Sequence, residues 1–186
     1  MTDADREFPI LTTPRLTLRA LTEQDAPALL EITHDEEVMR YYGMEPFETL
    51  DDVLEEIAWG RDLFREGQGI RWAIALRTSD AYIGDLGLHN YSEQHARAEA
   101  GYKLARPYWR QGLMSEALSA VVSYGFGRMA LNRIEALVDP RNAASWAMLE
   151  KLGFRREGVL RDYEHERSGY VDLAMYSLLR REWLSP

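Results

Sequence analysis

Residues 107–118 read Pro107-Tyr108-Trp109-Arg110-Gln111-Gly112-Leu113-Met114-Ser115-Glu116-Ala117-Leu118. Apolar residues then recur with helical spacing as far as Met129, so this stretch predicts a short turn followed directly by a helix N-terminus. The first turn of a helix leaves backbone N–H groups without intrahelical partners and carries partial positive charge. Gly112 has no Cβ and lets an anion approach the backbone, and Arg110 adds a cation. The stretch indicates either a phosphate or pyrophosphate site or an ordinary strand-to-helix connection.

The composition is that of a globular domain of 186 residues without cysteine. The absence of cysteine excludes disulfides, thiolate metal sites and a cysteine nucleophile. The four histidines show no metal-ligand spacing, the apolar runs are too short to span a membrane, and the N-terminus has no signal-peptide pattern. We expect a single domain over residues 1–186, with residues 1–10 as a loose lead-in, in a cytoplasmic, metal-free monomer or homodimer.

The net charge of −9 is unevenly distributed. Residues 1–60 hold 15 Asp and Glu against 4 Arg, whereas the rest of the chain is nearly balanced. An acidic front half opposes binding to nucleic acid, because phosphate contacts need clustered cations. It either attracts a cationic partner or serves solubility alone.

The hydrophobic periodicity predicts elements in the order β-α-α-β-β-β-α-β-α-β-β. This order indicates an α/β (α+β) fold with a mixed, mostly antiparallel central sheet flanked by helices. Three successive strands ending at Leu104 are predicted to form a meander that leads into the Gly112 turn. Thr49 and Asn142 are predicted helix N-caps, and a final hairpin is predicted to turn at Ser168-Gly169.

Several segments, taken together and in order, resemble the GNAT acyltransferase superfamily. They are 99–104, 109–118, 133–136, Asn142-Ala143-Ala144-Ser145-Trp146 through Leu152-Gly153-Phe154, and Glu157-Gly158-Val159-Leu160-Arg161. The opening Leu11-Thr12-Thr13-Pro14-Arg15-Leu16-Thr17-Leu18-Arg19 resembles the RimJ/RimL-like ribosomal-protein N-acetyltransferase branch. The resemblance covers the chain from residue 11 onward. It implies a GNAT-like fold and an N-acetyltransferase that uses acetyl-CoA as acyl donor and no metal.

The resemblance also implies which residues bind the cofactor. Backbone groups of the third meander strand would pair with the pantetheine arm, those of the following turn would bind the pyrophosphate, and an asparagine would touch the cofactor arm. The corresponding residues are Tyr102, Lys103, Leu104, Arg110, Gln111, Gly112, Leu113, Met114, Ser115 and Asn142. The family usually has Arg or Gln where this chain has Trp109, and Gly or Ala where it has Met114. Backbone N–H groups must therefore do most of the phosphate binding.

Amine attack on a thioester requires a neutral amine, a polarised carbonyl and a protonated leaving thiolate. A carboxylate could accept the amine proton, directly or through water. The resemblance offers Glu164, which matches a base proposed in the Rim-like branch, and Glu99, on the cofactor strand; we favour Glu164. Leu149 stands where many GNAT enzymes have a tyrosine that acts as the acid for the leaving thiolate. Ser145 matches the Rim-like serine proposed for that role, and it is also explained by its place in a first helical turn.

The acceptor is the least determined part of the sequence. The architecture implied by the resemblance brings the amine in over the two N-terminal helices and the final hairpin, where the aromatic candidates are Tyr41, Tyr42, Trp59, Trp72 and Tyr91. The acidic front half favours a basic protein's N-terminal amine. A small amine, an amino-acid conjugate and an amine antibiotic are alternatives, as is a non-catalytic acyl-CoA-binding module.

Overall fold

The computed structural model of the chain describes residues 7–166 and 169–183. Its elements are β1 (Leu11–Thr12), β2 (Leu16–Arg19), α1 (Ala26–His34), α2 (Glu36–Met39), α3 (Leu50–Arg65), β3 (Ile70–Leu76), β4 (Tyr82–Ser92), β5 (Arg97–Leu104), α4 (Leu113–Gly127), β6 (Arg133–Val138), α5 (Ala143–Lys151), β7 (Arg155–Glu166), β8 (Gly169–Leu179) and α6 (Arg180–Trp183). All predicted elements are present, and β1, α2 and α6 are short additions. In the predicted hairpin turn, Ser168 lies outside the described residues.

Two helices begin where their capping residues predict. The Thr49 hydroxyl accepts a hydrogen bond from the Asp52 N–H at 3.2 Å, and the Asp52 carboxylate accepts one from the Thr49 N–H at 2.8 Å. This reciprocal pair satisfies two backbone donors at the start of α3. The Asn142 side-chain oxygen accepts a hydrogen bond from the Ser145 N–H at 3.1 Å and caps α5 in the same way.

The strands form one sheet in the order β1-β2-β3-β4-β5-β6-β8-β7. Neighbouring strands are antiparallel except β5 and β6, which are parallel. The predicted mixed, mostly antiparallel sheet is therefore confirmed. Apolar residues of α4 pack on one face, and those of α1 and α3 pack on the other.

The parallel strands β5 and β6 separate towards their C-terminal ends. Their pairing covers only 97–99 with 133–135, although β5 continues to Leu104 and β6 to Val138. On its other side β6 pairs with β8 over its whole length, so it follows β8 away from β5. The separation leaves the β6-facing edge of residues 100–104 without a strand partner in the described part of the chain, and it opens a wedge in the sheet.

The structure corrects two predictions at the main core. Trp72 is 0% exposed, and its Nε1 donates a hydrogen bond to the Pro9 carbonyl at 2.8 Å. Its ring belongs to the core and does not reach an acceptor site. Phe8 packs edge-on against Trp72 with ring centroids 6.1 Å apart, so residues 8 and 9 are held against the core rather than loose. Residues 1–6 of the predicted lead-in lie outside the described residues.

Across the described ranges, no helix combines the length and apolarity that crossing a bilayer requires.

Candidate active site

The wedge between β5 and β6 opens into a cavity of about 1200 Å³. This volume exceeds the roughly 300–1,000 Å³ of a typical small-molecule pocket, so the cavity has room for two substrates. One end is formed by the turn before α4 and the start of α5. The other end is formed by the loop after α2, one face of α3 and the end of β7.

The turn before α4 has the backbone geometry of an anion site. Arg110 and Gly112 have φ values of 59° and 75°, which turn the chain sharply before α4 begins. Positive φ at Arg110 is a strained conformation of the kind that clusters at functional sites. Gly112 is the N-cap of α4, and residues 112–115 line the cavity. The first-turn N–H groups of α4 lack intrahelical partners, so this end of the cavity favours a negatively charged group.

One aromatic and one amide side chain, those of Trp109 and Gln111, hold this turn in place. Trp109 Nε1 donates a hydrogen bond to the Leu104 carbonyl at 2.7 Å, which ties the turn to the end of β5. This contact gives a structural role to the tryptophan that departs from the family pattern. Gln111 Nε2 donates to the Pro107 carbonyl at 2.9 Å. Gln111 is absent from the cavity lining, unlike the other turn residues predicted to bind cofactor.

The predicted cofactor strand lines the cavity through Tyr102, Lys103 and Leu104. The Lys103 side chain is buried, and its Nζ lies 3.0 Å from Asp85 Oδ2. Lys103 therefore contributes its backbone, and not its charge, to any ligand that pairs with this edge. Asn142 lines the cavity beside α5, and its side-chain oxygen is already used as the helix cap.

Ser145 and Tyr102 form a hydroxyl pair inside the cavity. Their side-chain oxygens are 2.7 Å apart, and either can be the donor. Burial raises the pKa of Tyr102 to about 12, against the opposing effect of its hydrogen bond with Ser145. The sequence predicted Ser145 and the backbone of Tyr102 as site residues, but it did not predict that the two hydroxyls meet.

The two candidate bases lie in different electrostatic surroundings. Burial raises the pKa of Glu164, and the charges of Glu166 and Glu99 raise it further. Burial also acts on Glu99, but hydrogen bonds from His89 and Asn90 outweigh it and hold the pKa of Glu99 below its usual value. Glu99 Oε1 lies 3.5 Å from His89 Nε2, and Asn90 Nδ2 donates a hydrogen bond to Glu99 Oε2 at 3.0 Å. Glu164 is therefore the stronger base of the two.

A buried ion network, which sequence reasoning missed, lies at the end of the cavity that the loop after α2 helps to form. Asp85 is 0% exposed and accepts hydrogen bonds from Arg71, Lys103 and the Tyr82 hydroxyl. Burial opposes the charge of Asp85, but the two cations outweigh it and hold its pKa below the usual value. Arg71 also donates to the Tyr42 hydroxyl at 2.5 Å. The available sequence signal was a charged residue in the middle of an apolar strand.

Three of the five predicted acceptor aromatics line the cavity, namely Tyr41, Tyr42 and Trp59. Trp72 is in the core, as described above. Tyr91 packs partly buried against the main core and does not line the cavity. The strand register shifts between His89 and Ser92, which interrupts the alternation that would have placed Tyr91 on the same face as His89. Within residues 7–166 and 169–183, no group of three or more His, Asp or Glu is placed to hold a metal ion.

A family model described as an acetyltransferase (GNAT) domain matches residues 15–155. Among curated proteins, the chain is 43% identical to the uncharacterized N-acetyltransferase YoaA of Bacillus subtilis (strain 168), over 93% of this chain and 98% of YoaA. It is 25% identical to the ribosomal protein uS5 alanine N-acetyltransferase of Escherichia coli (strain K12), over 93% of this chain and 92% of that protein.

Among solved structures, Mycobacterium smegmatis RimJ in complex with CoA-disulfide matches with a TM-score of 0.85 at 24% identity, covering 96% of this chain and 89% of RimJ. At this identity the likeness shows the fold alone. The GNAT model covers most of the chain, and YoaA is similar over nearly its full length. The chain therefore belongs to the GNAT family of N-acetyltransferases.

Proposed function

We propose that this protein transfers the acetyl group of acetyl-CoA to the N-terminal amine of a basic protein, as ribosomal-protein N-acetyltransferases do. The observation that carries the proposal is a single cavity that joins an anion-binding turn to a group of carboxylates. The turn suits the phosphates of the donor. The carboxylates suit a cationic acceptor and can remove its proton.

At the donor end of the cavity, both the charge and the free backbone groups of the protein fit CoA. The N–H groups of residues 112–115 would hold the pyrophosphate. The edge of β5 that β6 leaves unpaired would hydrogen bond to the amides of the pantetheine arm, as an added strand does at a sheet edge. RimJ, whose fold this chain shares, binds a CoA-disulfide.

Glu164 is the proposed general base. An alkyl ammonium is mostly charged at neutral pH, so it must lose a proton before it attacks the thioester carbonyl. Glu164 accepts that proton, directly or through water, and its raised pKa suits this role. The amine nitrogen bonds to the carbonyl carbon, a backbone N–H of β5 stabilises the oxyanion, and the C–S bond then breaks.

The hydroxyl pair of Ser145 and Tyr102 is proposed to hydrogen bond to the departing sulfur. A thiol has a pKa of about 8.5, whereas burial raises that of Tyr102 to about 12. Tyr102 is therefore a weaker acid than the thiol that would form, and proton transfer from it is unfavourable. The pair stabilises the thiolate by hydrogen bonding, and water relays to the sulfur the second proton, which the nitrogen loses as the amide forms.

An acidic groove next to the cavity favours a basic peptide as acceptor. The groove has a volume of about 710 Å³ and shares Met44, Glu56 and Trp59 with the cavity. Its charged lining residues among those described are all acidic: Glu45, Glu48, Asp52, Glu55 and Glu56. Trp59 is 45% exposed and offers a face to a cationic side chain. A peptide with its amine at Glu164 could place following Lys or Arg residues in this groove.

Thiol release from acetyl-CoA with a panel of acceptors tests the proposal. The panel contains a hexapeptide with a free N-terminus and two Lys residues, the same peptide with Glu in place of Lys, the Lys peptide with its α-amine blocked, and a linear polyamine. We expect the highest kcat/KM for the unblocked Lys peptide and little release for the blocked one. Preference for the polyamine would replace the protein acceptor by a small amine. CoA binding without thiol release for any amine would indicate a non-catalytic acyl-CoA-binding module.

A further inference from the structure

The turn at residues 110–115, proposed to bind the donor's phosphates and called the phosphate turn below, has a negatively charged residue beside it. Glu116 lies in the first turn of α4, next to the N–H groups that would hold the donor's pyrophosphate. A carboxylate at this position is favourable for the helix, but it repels a second anion at the same N-terminus. Such a site binds phosphate well only if the carboxylate is neutralised.

The loop between β1 and β2 provides that neutralisation. Arg15 Nε lies 2.7 Å from Glu116 Oε2, and the Arg15 N–H donates to Glu116 Oε1 at 2.9 Å. The Thr13 hydroxyl donates to the same oxygen at 2.6 Å. Burial opposes the charge of Glu116, but these bonds outweigh it and hold the pKa of Glu116 below its usual value. The carboxylate is therefore ionised and saturated with donors.

Arg15 also holds the backbone of the turn. Its Nη1 donates a hydrogen bond to the Gln111 carbonyl at 2.9 Å. The neighbouring Nη2 lies 3.7 Å from the position that a Cβ on Gly112 would occupy. Neither Arg15 nor Glu116 lines the cavity, whereas Arg110 does. Arg15 thus contacts the turn from the side away from the ligand.

We propose that Arg15 is a positioning residue for phosphate binding, which neutralises Glu116 and fixes the Gln111 carbonyl so that the N–H groups of residues 112–115 face the donor. This proposal rests on the proposed function only in taking CoA as the donor. It differs from direct recognition, in which Arg15 itself would contact a phosphate. In direct recognition the cation is needed for its own contact with a phosphate; here most of its effect on binding depends on the presence of Glu116, and the bond to the Gln111 carbonyl supplies the rest.

The test compares Arg15→Met, Glu116→Gln and the double variant by calorimetry with CoA and with pantetheine, which lacks the phosphates. We expect Arg15→Met to weaken CoA binding by roughly 2- to 30-fold, the range for one charge at a helix terminus, and to leave pantetheine binding unchanged. We expect Glu116→Gln to bind CoA at least as tightly as the wild type. The double variant should recover most of the affinity lost in Arg15→Met. The loss in Arg15→Met should also shrink at high salt.

Arg77→Met is the matched control. Arg77 Nη1 donates to the Thr13 carbonyl at 3.2 Å, so it contacts the same loop without touching the phosphate turn, and this variant should bind CoA normally. A double variant as weak as Arg15→Met would show that Arg15 does not act by neutralising Glu116, and it would overturn the proposal. Equal losses for CoA and pantetheine, or an unchanged Arg15→Met, would also overturn it. Failure of the wild type to bind CoA would instead overturn the proposed function, and this proposal with it.

Discussion

Replacing Glu164 by glutamine tests whether this carboxylate accepts the proton of the amine. The amide keeps the size of the side chain, which matters because a Cβ on Gly43 would lie only 2.9 Å from Glu164 Oε2. The substitution removes the negative charge and, with it, the basicity. A positioned general base contributes about 10²–10⁴-fold to the rate, so we expect Glu164→Gln to lower kcat by this factor. Acetyl-CoA affinity should change little, because Glu164 is on β7 and the phosphate turn is at the other end of the cavity.

The pH profile of kcat/KM gives a second measurement of the same change. The base must be ionised, so the rate falls as pH falls through the pKa of Glu164, which lies above the ordinary value of 4.5. A peptide α-amine adds a separate limb near its own pKa of about 7.7–8.0. In Glu164→Gln the lower limb should disappear and the amine limb should remain. A thiol-reactive chromophore, with a basic peptide as acceptor, measures both limbs.

Glu166→Gln and Glu99→Gln serve as matched controls. Each removes a charge that raises the pKa of Glu164, so each should keep most of kcat and move the lower limb to lower pH. The shift should be larger for Glu166→Gln, because Glu166 contributes more than Glu99 to the raised pKa. A greater loss in Glu99→Gln than in Glu164→Gln would make Glu99 the base. Nearly wild-type rates in both would refute carboxylate catalysis.

Three further substitutions test the cofactor turn, the hydroxyl pair and the buried ions. Gly112→Asp puts a carboxylate at the N-cap of α4, where it competes with the pyrophosphate for the free N–H groups of the first turn, so calorimetry should detect no CoA binding at millimolar concentration. Ser145→Ala removes the partner of the Tyr102 hydroxyl and should lower kcat by about 10-fold, as expected for one lost hydrogen bond, without changing CoA affinity. Asp85→Asn leaves two buried cations without their counter-ion and should lower the free energy of unfolding in urea by about 3–5 kcal/mol. Asp80→Asn, at a carboxylate that is 70% exposed, is its control and should cost less than about 1 kcal/mol.

The geometry of the turn proposed to bind the cofactor was predictable because consecutive residues build it. A glycine before an amphipathic helix specifies a turn and a set of free N–H groups, whatever the rest of the chain does. The turn at residues 110–115 therefore lies where the sequence places it, and Asn142 caps α5 as expected. The exception is the side chain of Gln111, which bonds back to Pro107 instead of lining the cavity.

Side-chain direction in β3 was not predictable to the required precision. Arg71 and Trp72 are neighbours, and a strand sends successive side chains to opposite faces. The structure places Arg71 at the cavity and Trp72 in the main core. Both residues are buried, and the next residues on their two faces, Ala73 and Ile74, are both apolar and buried, so polarity along the strand does not indicate which face is at the cavity. A shift of one residue in register exchanges the two positions, which explains the wrong prediction for Trp72.

The loop after α2 contacts both the buried ion network and the candidate base Glu164. The Tyr42 hydroxyl accepts a hydrogen bond from Arg71, and its ring centroid lies 5.0 Å from Lys103 Nζ. The next residue, Gly43, has a φ of 73° and lies against the Glu164 carboxylate, so that a Cβ there would come within 2.9 Å of Oε2 and displace the carboxylate. Because adjacent residues of one loop contact both the ion network and Glu164, the network helps to set where the carboxylate can lie. The acceptor end is thus assembled from side chains on β3, β4, β5, β7 and this loop, and no local sequence pattern records contacts that exist only after folding.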